Sequence, residues 1–194
     1  MLPTKKNIKE LLLQELENTK FPICRSRGNV ATSCEAMALG EVCYRGQKAL
    51  NFKTRGESRW NKKFPELYLL ARRYIELYHP DFKYTTIQLN KNVKCTPHID
   101  KNNCGESYVI ALGDFAGGRI VIEGKPCNIR GRWKKFNGKE QGHWTEEWEG
   151  TRYSLVYFCH TFKPPPRDTH GIKVTEYGIF RRDGSLIKSY TRVN

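Results

Sequence analysis

The residues best placed to do chemistry in this chain lie in Thr96-Pro97-His98-Ile99-Asp100. A His-x-Asp pair leaving a strand offers an imidazole nitrogen and a carboxylate oxygen to two faces of one metal ion. A further histidine would complete the two-histidine, one-carboxylate set that leaves open positions on non-haem Fe(II). The pair alone is weak: five histidines and five aspartates in 194 residues give about 0.13 such pairs by chance. The available third ligands are His143, His160 and His170, while His79 stands on the wrong side, at the end of a helix. His143 has the best context, because Arg152 follows nine residues later and opens the run Arg152-Tyr153-Ser154-Leu155-Val156-Tyr157-Phe158. Period-two alternation puts Arg152, Ser154, Val156 and Phe158 on one face. An arginine turned into a barrel costs several kcal/mol unless an anion pairs with it. Its planar fork beside a serine hydroxyl suits the distal carboxylate of a dicarboxylate cosubstrate.

These residues need strands to hold them, and the text from Tyr84 onward reads as strands. Short β-branched and aromatic runs at 84–89, 107–113, 118–123 and 151–158 alternate with turns such as Gly117-Gly118 and Gly150. Ahead of them two helices are expected. The first is capped by Thr4 and runs to about Asn18, with Ile8, Leu11, Leu12 and Leu16 on one face. The second starts at Pro65, carries Leu67, Leu70, Tyr74, Leu77 and Tyr78 at helical spacing, and stops at His79-Pro80. Residues 21–62 hold short strand-like pieces, Glu41–Tyr44 and Ala49–Phe52 among them, separated by glycines. Pro164-Pro165-Pro166 reads as an extended spacer, followed by a hairpin of Tyr177–Phe180 and Leu186–Tyr190 turning at Asp183-Gly184. The expected class is mainly β (α+β), a jelly roll backed by N-terminal helices. One domain spans 1–194: a helical and short-strand part at 1–83, a β core at 84–160 and a tail with a hairpin at 161–194.

The formal net charge of +14 favours a polyanionic partner. The cations cluster: Lys53, Arg55, Arg59, Lys62 and Lys63 lie around Phe52 and Trp60, and Arg130, Arg132, Lys134 and Lys135 surround Trp133. Aromatics among cations suit base stacking beside phosphate contacts, although an aromatic is equally an ordinary core residue. The seven cysteines form no Cys-x-x-Cys pair, which argues against a zinc cluster and a secreted disulfide framework and for reduced thiols. No stretch approaches the roughly 20 apolar residues of a membrane span, and nothing resembles a signal peptide. The expectation is a soluble, intracellular, monomeric protein with no membrane partner.

In order and spacing, His98-x-Asp100, His143 and Arg152-x-Ser154 resemble the Fe(II)/2-oxoglutarate-dependent dioxygenase superfamily, over about residues 84–160. Leu112-Gly113-Asp114-Phe115-Ala116-Gly117-Gly118-Arg119-Ile120 is similar to the strand–turn–strand of its prolyl-hydroxylase-like members, and Thr151–Phe158 resembles their closing strand. Gln88–Asn92 through His98–Asn103 looks like compact protist, algal and viral members, some grouped with the TET/base-J nucleobase hydroxylases. The resemblance implies a double-stranded β-helix in which His98, Asp100 and His143 ligate Fe(II). It implies that Arg152 binds 2-oxoglutarate, with Ser154 assisting and Gln88 a further cosubstrate contact. Gln88 departs from the tyrosine often found there in prolyl hydroxylases.

The implied reaction takes 2-oxoglutarate and O2, with ascorbate as a supporting reductant, to succinate, carbon dioxide and a hydroxylated C–H bond. Charge, the basic-aromatic clusters and the narrower resemblance favour a base in DNA or RNA, such as a 5-methylpyrimidine, which in a duplex must be flipped out. Arg59, Trp60, Lys101, Asn102, Asn103 and Arg130 are the candidate substrate-binding residues. Two other readings stay open: a hydroxylase of prolyl or other side chains on an acidic protein, and a jelly-roll nucleic-acid-binding module without turnover.

Overall fold

A computed structural model describes residues 5–25, 34–44, 54–160, 173–175, 178–181 and 184–189 of the chain. Lys5–Asn18 forms α1, and its Ile8, Leu12 and Leu16 are buried at a strict four-residue spacing. Leu11, expected on that face, points to solvent because it lies off this stripe. Strands β1 (Ile23–Cys24), β2 (Cys34–Tyr44) and β3 (Thr54–Glu57) follow, then two helices, α2 (Arg59–Lys63) and α3 (Pro65–Tyr78). The single turn of α2 falls where short strand-like text was expected; Ser58 caps it by accepting from the Trp60 amide. α3 begins at Pro65 as expected, with Leu67, Ala71, Tyr74 and Ile75 buried.

The β region comprises β4 (Thr86–Lys91), β5 (Asn103–Leu112), β6 (Phe115–Gly117), β7 (Ile120–Ile122), β8 (Lys125–Cys127), β9 (Lys134–Phe136), β10 (His143–Thr145), β11 (Trp148–Gly150) and β12 (Tyr153–His160). A seven-stranded antiparallel sheet runs β1-β2-β4-β12-β5-β9, with β3 added to β2. Opposite lie a three-stranded sheet, β10-β7-β8, and the pair β11-β6. The mainly-β jelly roll backed by helices is therefore the observed architecture. The last three strands, β13 (Lys173–Thr175), β14 (Gly178–Phe180) and β15 (Leu186–Ser189), form a separate small sheet. It contains the expected hairpin plus one further strand. Ala49–Phe52, the triple proline, Thr4 and His170 fall outside the described residues.

The parity of β12 divides the molecule. Tyr153, Leu155 and Tyr157 pack with Leu39, Ile87, Leu89, Ile110 and Leu112 against α1 and α3. Each such fully buried side chain contributes about 2 kcal/mol by apolar transfer. The Tyr157 hydroxyl also donates to the Ala71 carbonyl at 2.8 Å, tying strand to helix. The alternate residues Arg152, Ser154, Val156, Phe158 and His160 line a cavity of about 770 Å³ inside the roll. Across the sheet, Ser154 pairs with Asn90, Val156 with Gln88 and Phe158 with Thr86, so β4 adds polar groups to the same wall. No helix among the described residues is long and apolar enough to cross a membrane.

Candidate metal centre

His98 lies outside the ladders, yet it exchanges two backbone hydrogen bonds with His143 of β10: His98 N to His143 O at 3.1 Å and His143 N to His98 O at 2.9 Å. This reciprocal pairing brings the rings within 4.3 Å, centroid to centroid. Pro97 biases Thr96 toward extended backbone, and the Thr96 carbonyl sits 2.6 Å from the Nδ1 of His98. The Gln141 carbonyl stands 2.9 Å from the Nδ1 of His143 in the same way. With each Nδ1 turned to the carbonyl two residues back, both Nε2 atoms face Asp100, at 3.6 Å from Oδ1 for His98 and 3.5 Å from Oδ2 for His143. The donors of His98, Asp100 and His143 all lie within 4.8 Å of one another. Two imidazole nitrogens oriented by carbonyls plus one carboxylate oxygen is the donor chemistry of a facial Fe(II) site, so these residues fit that metal.

Two neighbours fix the carboxylate. Asn103 donates its Nδ2 to Asp100 Oδ2 at 3.1 Å, and the Asp100 amide donates to the Gly138 carbonyl at 2.8 Å. A Cβ at Gly138 would come within 2.9 Å of Asp100 Oδ2, so a side chain there would press the carboxylate from this position. Phe136 meets the His143 ring edge-on at 4.9 Å. Burial on its own raises the Asp100 carboxyl, but the hydrogen bonds from His143 and His98 outweigh it and hold the group well below the usual carboxylate range. Burial likewise pushes the His143 imidazole down, and the Asp100 carboxylate overrides that and raises it.

Arg152 stands at another wall of the same cavity, only 2% exposed. Its Nε donates to the Gly118 carbonyl at 3.2 Å, and its guanidinium lies 5.5 Å from the Trp148 ring and 5.8 Å from Phe115. No acidic side chain among the described residues pairs with it. Burial pulls its pKa down from the ordinary arginine value to about 10, with Cys95 acting in the opposite direction. The close approach depends on Gly118, with φ of +61° and a hypothetical Cβ 2.9 Å from Arg152 Cδ. A buried cation and a set of possible metal donors thus line the same space.

The other residues singled out by sequence divide by position. Ser154 is buried in the cavity wall and accepts from Asn90 Nδ2 at 3.1 Å. Gln88 also lines the cavity, but its Nε2 is turned to the Met37 carbonyl at 3.0 Å and to Asn90 Oδ1 at 3.3 Å. Lys101, Asn102 and Asn103 all line the cavity, and the buried Asn103 orients Asp100. Arg59, Trp60 and Arg130 are absent from the cavity wall. Arg59 covers the Trp60 ring at 4.4 Å, and Trp60 stacks on Phe64 against the helical core. Arg130 pairs with Asp114 at 3.2 Å. Trp133 packs among Tyr74, Tyr78, His79 and Tyr157 on the helical side, so its ring is core. His160, expected beyond the closing strand, is its last residue and lines the cavity; His79 stacks on Tyr108 at 3.9 Å.

Sequence reasoning missed Asn90, Gly118, Gly138, Trp144 and Thr145. Asn90 had a signal, since it follows Gln88 by two residues on an inward-facing strand. Trp144 and Thr145 sit beside His143 and line the cavity with it.

No protein-family model matches the chain, and no curated protein matches it by sequence. Solved structures do resemble it. NgTET1 in complex with 5mC DNA superposes over 82% of this chain and 70% of its own, with 14% identity and a TM-score of 0.54. OsALKBH1 does so over 80% of this chain and 92% of its own, with 11% identity and a TM-score of 0.50. An oxidoreductase of the 2OG-Fe(II) oxygenase family from Burkholderia pseudomallei has 17% identity over 78% of this chain and 77% of its own, at a TM-score of 0.48. At these identities the likeness is one of fold. The chain has the double-stranded β-helix fold of the Fe(II)/2-oxoglutarate-dependent dioxygenases.

Proposed function

We propose that this protein is an Fe(II)- and 2-oxoglutarate-dependent dioxygenase that hydroxylates a C–H bond of a nucleic-acid base, such as a 5-methylpyrimidine. The observation that carries the chemistry is the pairing, in one cavity, of the His98–Asp100–His143 donor set with the buried guanidinium of Arg152, which no acid among the described residues meets. His98, Asp100 and His143 would hold the iron, and Arg152 with Ser154 would hold the distal carboxylate of 2-oxoglutarate. Once bound, iron and cosubstrate supply the oxidising power: O2 delivers one oxygen atom to the substrate C–H bond and one to succinate, with loss of carbon dioxide.

The chain's own part is placement. The Asn103 amide keeps the Asp100 carboxylate turned to the metal position. Phe115 and Trp148 flank the Arg152 guanidinium and exclude water from its face, which strengthens a carboxylate–guanidinium pair. The cavity, at about 770 Å³, exceeds what a five-carbon diacid occupies, leaving room for a planar guest. Phe158 and His160, with ring centroids 6.2 Å apart on the same strand face, offer rings for such a guest to stack on. The net charge of +14 supports a polyanionic substrate, and one structure sharing this fold, NgTET1, is a complex with 5mC DNA.

The test is incubation with Fe(II), 2-oxoglutarate, ascorbate and methylated or unmethylated DNA and RNA. Succinate release and mass spectrometry of the digested nucleosides are read, with His98→Ala as the blank. Oxidised nucleosides are expected from the wild type alone. Succinate coupled to hydroxylated peptides, with unchanged nucleosides, would replace the substrate class. Absence of succinate with every polymer would remove the enzyme reading.

A further inference from the structure

A second, smaller cavity of about 330 Å³ lies one side-chain layer from the metal ligands, and the chemistry above makes no use of it. Phe136 separates the two spaces and lines both. The small cavity is built where three elements meet: the β7–β8 hairpin gives Glu123 and Lys125, the edge strand β9 gives Lys134 and Lys135, and β15 gives Lys188. Four lysines thus line it beside one carboxylate. Glu123 is taken by Lys188, which draws the C-terminal hairpin onto the roll. Lys125, Lys134 and Lys135 make no ion pair among the described residues, and Lys134 is half-buried. Among the described residues this concave surface carries three cations without an acid of their own, and such a surface favours an anionic partner.

The position narrows the anion. Lys134 and Lys135 belong to the basic run around Trp133, whose ring packs into the helical core and cannot stack on a base. Stripped of that aromatic, the run retains only charge, which contacts phosphates without reading bases. Phe136 is shared by the linings of both cavities, so a strand with one base in the main cavity would bring its neighbouring phosphates toward these lysines. We infer that Lys125, Lys134 and Lys135 form a backbone-phosphate clamp for the nucleic acid whose base enters the main cavity. This rests on the nucleic-acid reading of that cavity. The clamp fixes register and supplies affinity while leaving base choice to the cavity.

The test is fluorescence anisotropy of labelled single- and double-stranded 20-mer oligonucleotides across a salt series. It compares the full wild-type chain, Lys125→Gln/Lys134→Gln/Lys135→Gln, and a control with the same charge loss on the helical side, Lys9→Gln/Lys20→Gln/Arg73→Gln. Each duplex phosphate contact contributes about 0.9 to the slope of log K against log salt. The clamp variant is expected to lose about 2 to 3 from that slope and on the order of 100-fold in affinity at 100 mM salt. The control is expected to keep the wild-type slope. All three clamp lysines reach solvent, so folding is expected to survive; the single exposed Lys135→Gln, losing about 1 from the slope, serves as a second variant. If clamp and control variants behave alike while the wild type binds with steep salt dependence, the clamp is wrong and the nucleic-acid reading stands. If the wild type binds neither oligonucleotide at low salt, both fall together.

Discussion

Arg152→Met tests whether the buried guanidinium is waiting for an anion. At about 1.4 kcal/mol per pH unit, the fall of its pKa from the ordinary arginine value to about 10 means that burial disfavours the charged form by about 3 kcal/mol. Against this stand the hydrogen bond to the Gly118 carbonyl and the two flanking rings, together worth about 2–3 kcal/mol. Methionine fills much of the same slot without a charge. The ligand-free variant is therefore expected to lie within about 1 kcal/mol of the wild type, with a bias toward greater stability. Ligand then separates the two. At 2-oxoglutarate a hundredfold above its dissociation constant, with Mn(II) standing in for iron, the wild type gains about 2.7 kcal/mol. In a chain of this length that raises Tm by about 5–10 °C. Differential scanning fluorimetry should show this cosubstrate-dependent rise in the wild type and not in Arg152→Met, while both keep a shift with metal alone. Two results would refute the reasoning: a ligand-free variant destabilised by 3 kcal/mol or more, marking Arg152 as structural, or an undiminished response to 2-oxoglutarate.

Three further outcomes follow from the site. Gly118→Ala strains a residue at φ +61° and sets a Cβ 2.9 Å from Arg152 Cδ; the KM for 2-oxoglutarate should rise about tenfold or more, with metal affinity by calorimetry unchanged. Asn103→Ala removes the hydrogen bond that orients Asp100 and should weaken metal binding by about 10- to 100-fold, with the 2-oxoglutarate response recovered at saturating metal. The third concerns pH. In the metal-free protein the raised His143 contributes stability that is present below its ordinary 6.5 and lost as pH climbs through its higher folded value, while the depressed Asp100 contributes stability above 3.8 that is lost on acidification. The pair therefore stabilises the metal-free fold most between pH 3.8 and 6.5. Metal competes with the His143 proton, so its affinity should fall about tenfold per pH unit below that raised value, measurable by Mn(II) titration at a series of pH values.

What could be read from the text follows the range of the forces involved. Strand parity is local, so the sequence alone puts Arg152, Ser154, Val156 and Phe158 on one face; in α3 it locates Leu67 and Tyr74 on the buried stripe but not Ala71 and Ile75, and Tyr78 is exposed. The helix α2 was not legible: five residues carry no periodicity, and its hold on the fold is the distant pair of hydrogen bonds between Asn61 and Gly40. Strand β2 was read too short because Gly40 interrupts its pattern, although it simply lets the Thr85 carbonyl approach. Gly118 and Gly138 carry no chemistry of their own, and their value lies in which side chain they leave room for. Trp133 and Trp60 looked like stacking platforms because cations flank them in sequence, but apolar burial against α3 claims both rings.

The reciprocal peptide pairing of His98 and His143 has a consequence for how the centre is loaded. Two main-chain hydrogen bonds, which neither titrate in this range nor depend on a bound ion, staple together the segments that carry opposite ligands. Stripping the ion should leave the scaffold standing, so chelators would yield a folded, reloadable apoprotein whose amides at 98 and 143 stay slow to exchange with deuterium. Loading is then an act of docking into a ready seat, and its rate should depend on access through the mouth of the roll and hardly at all on refolding.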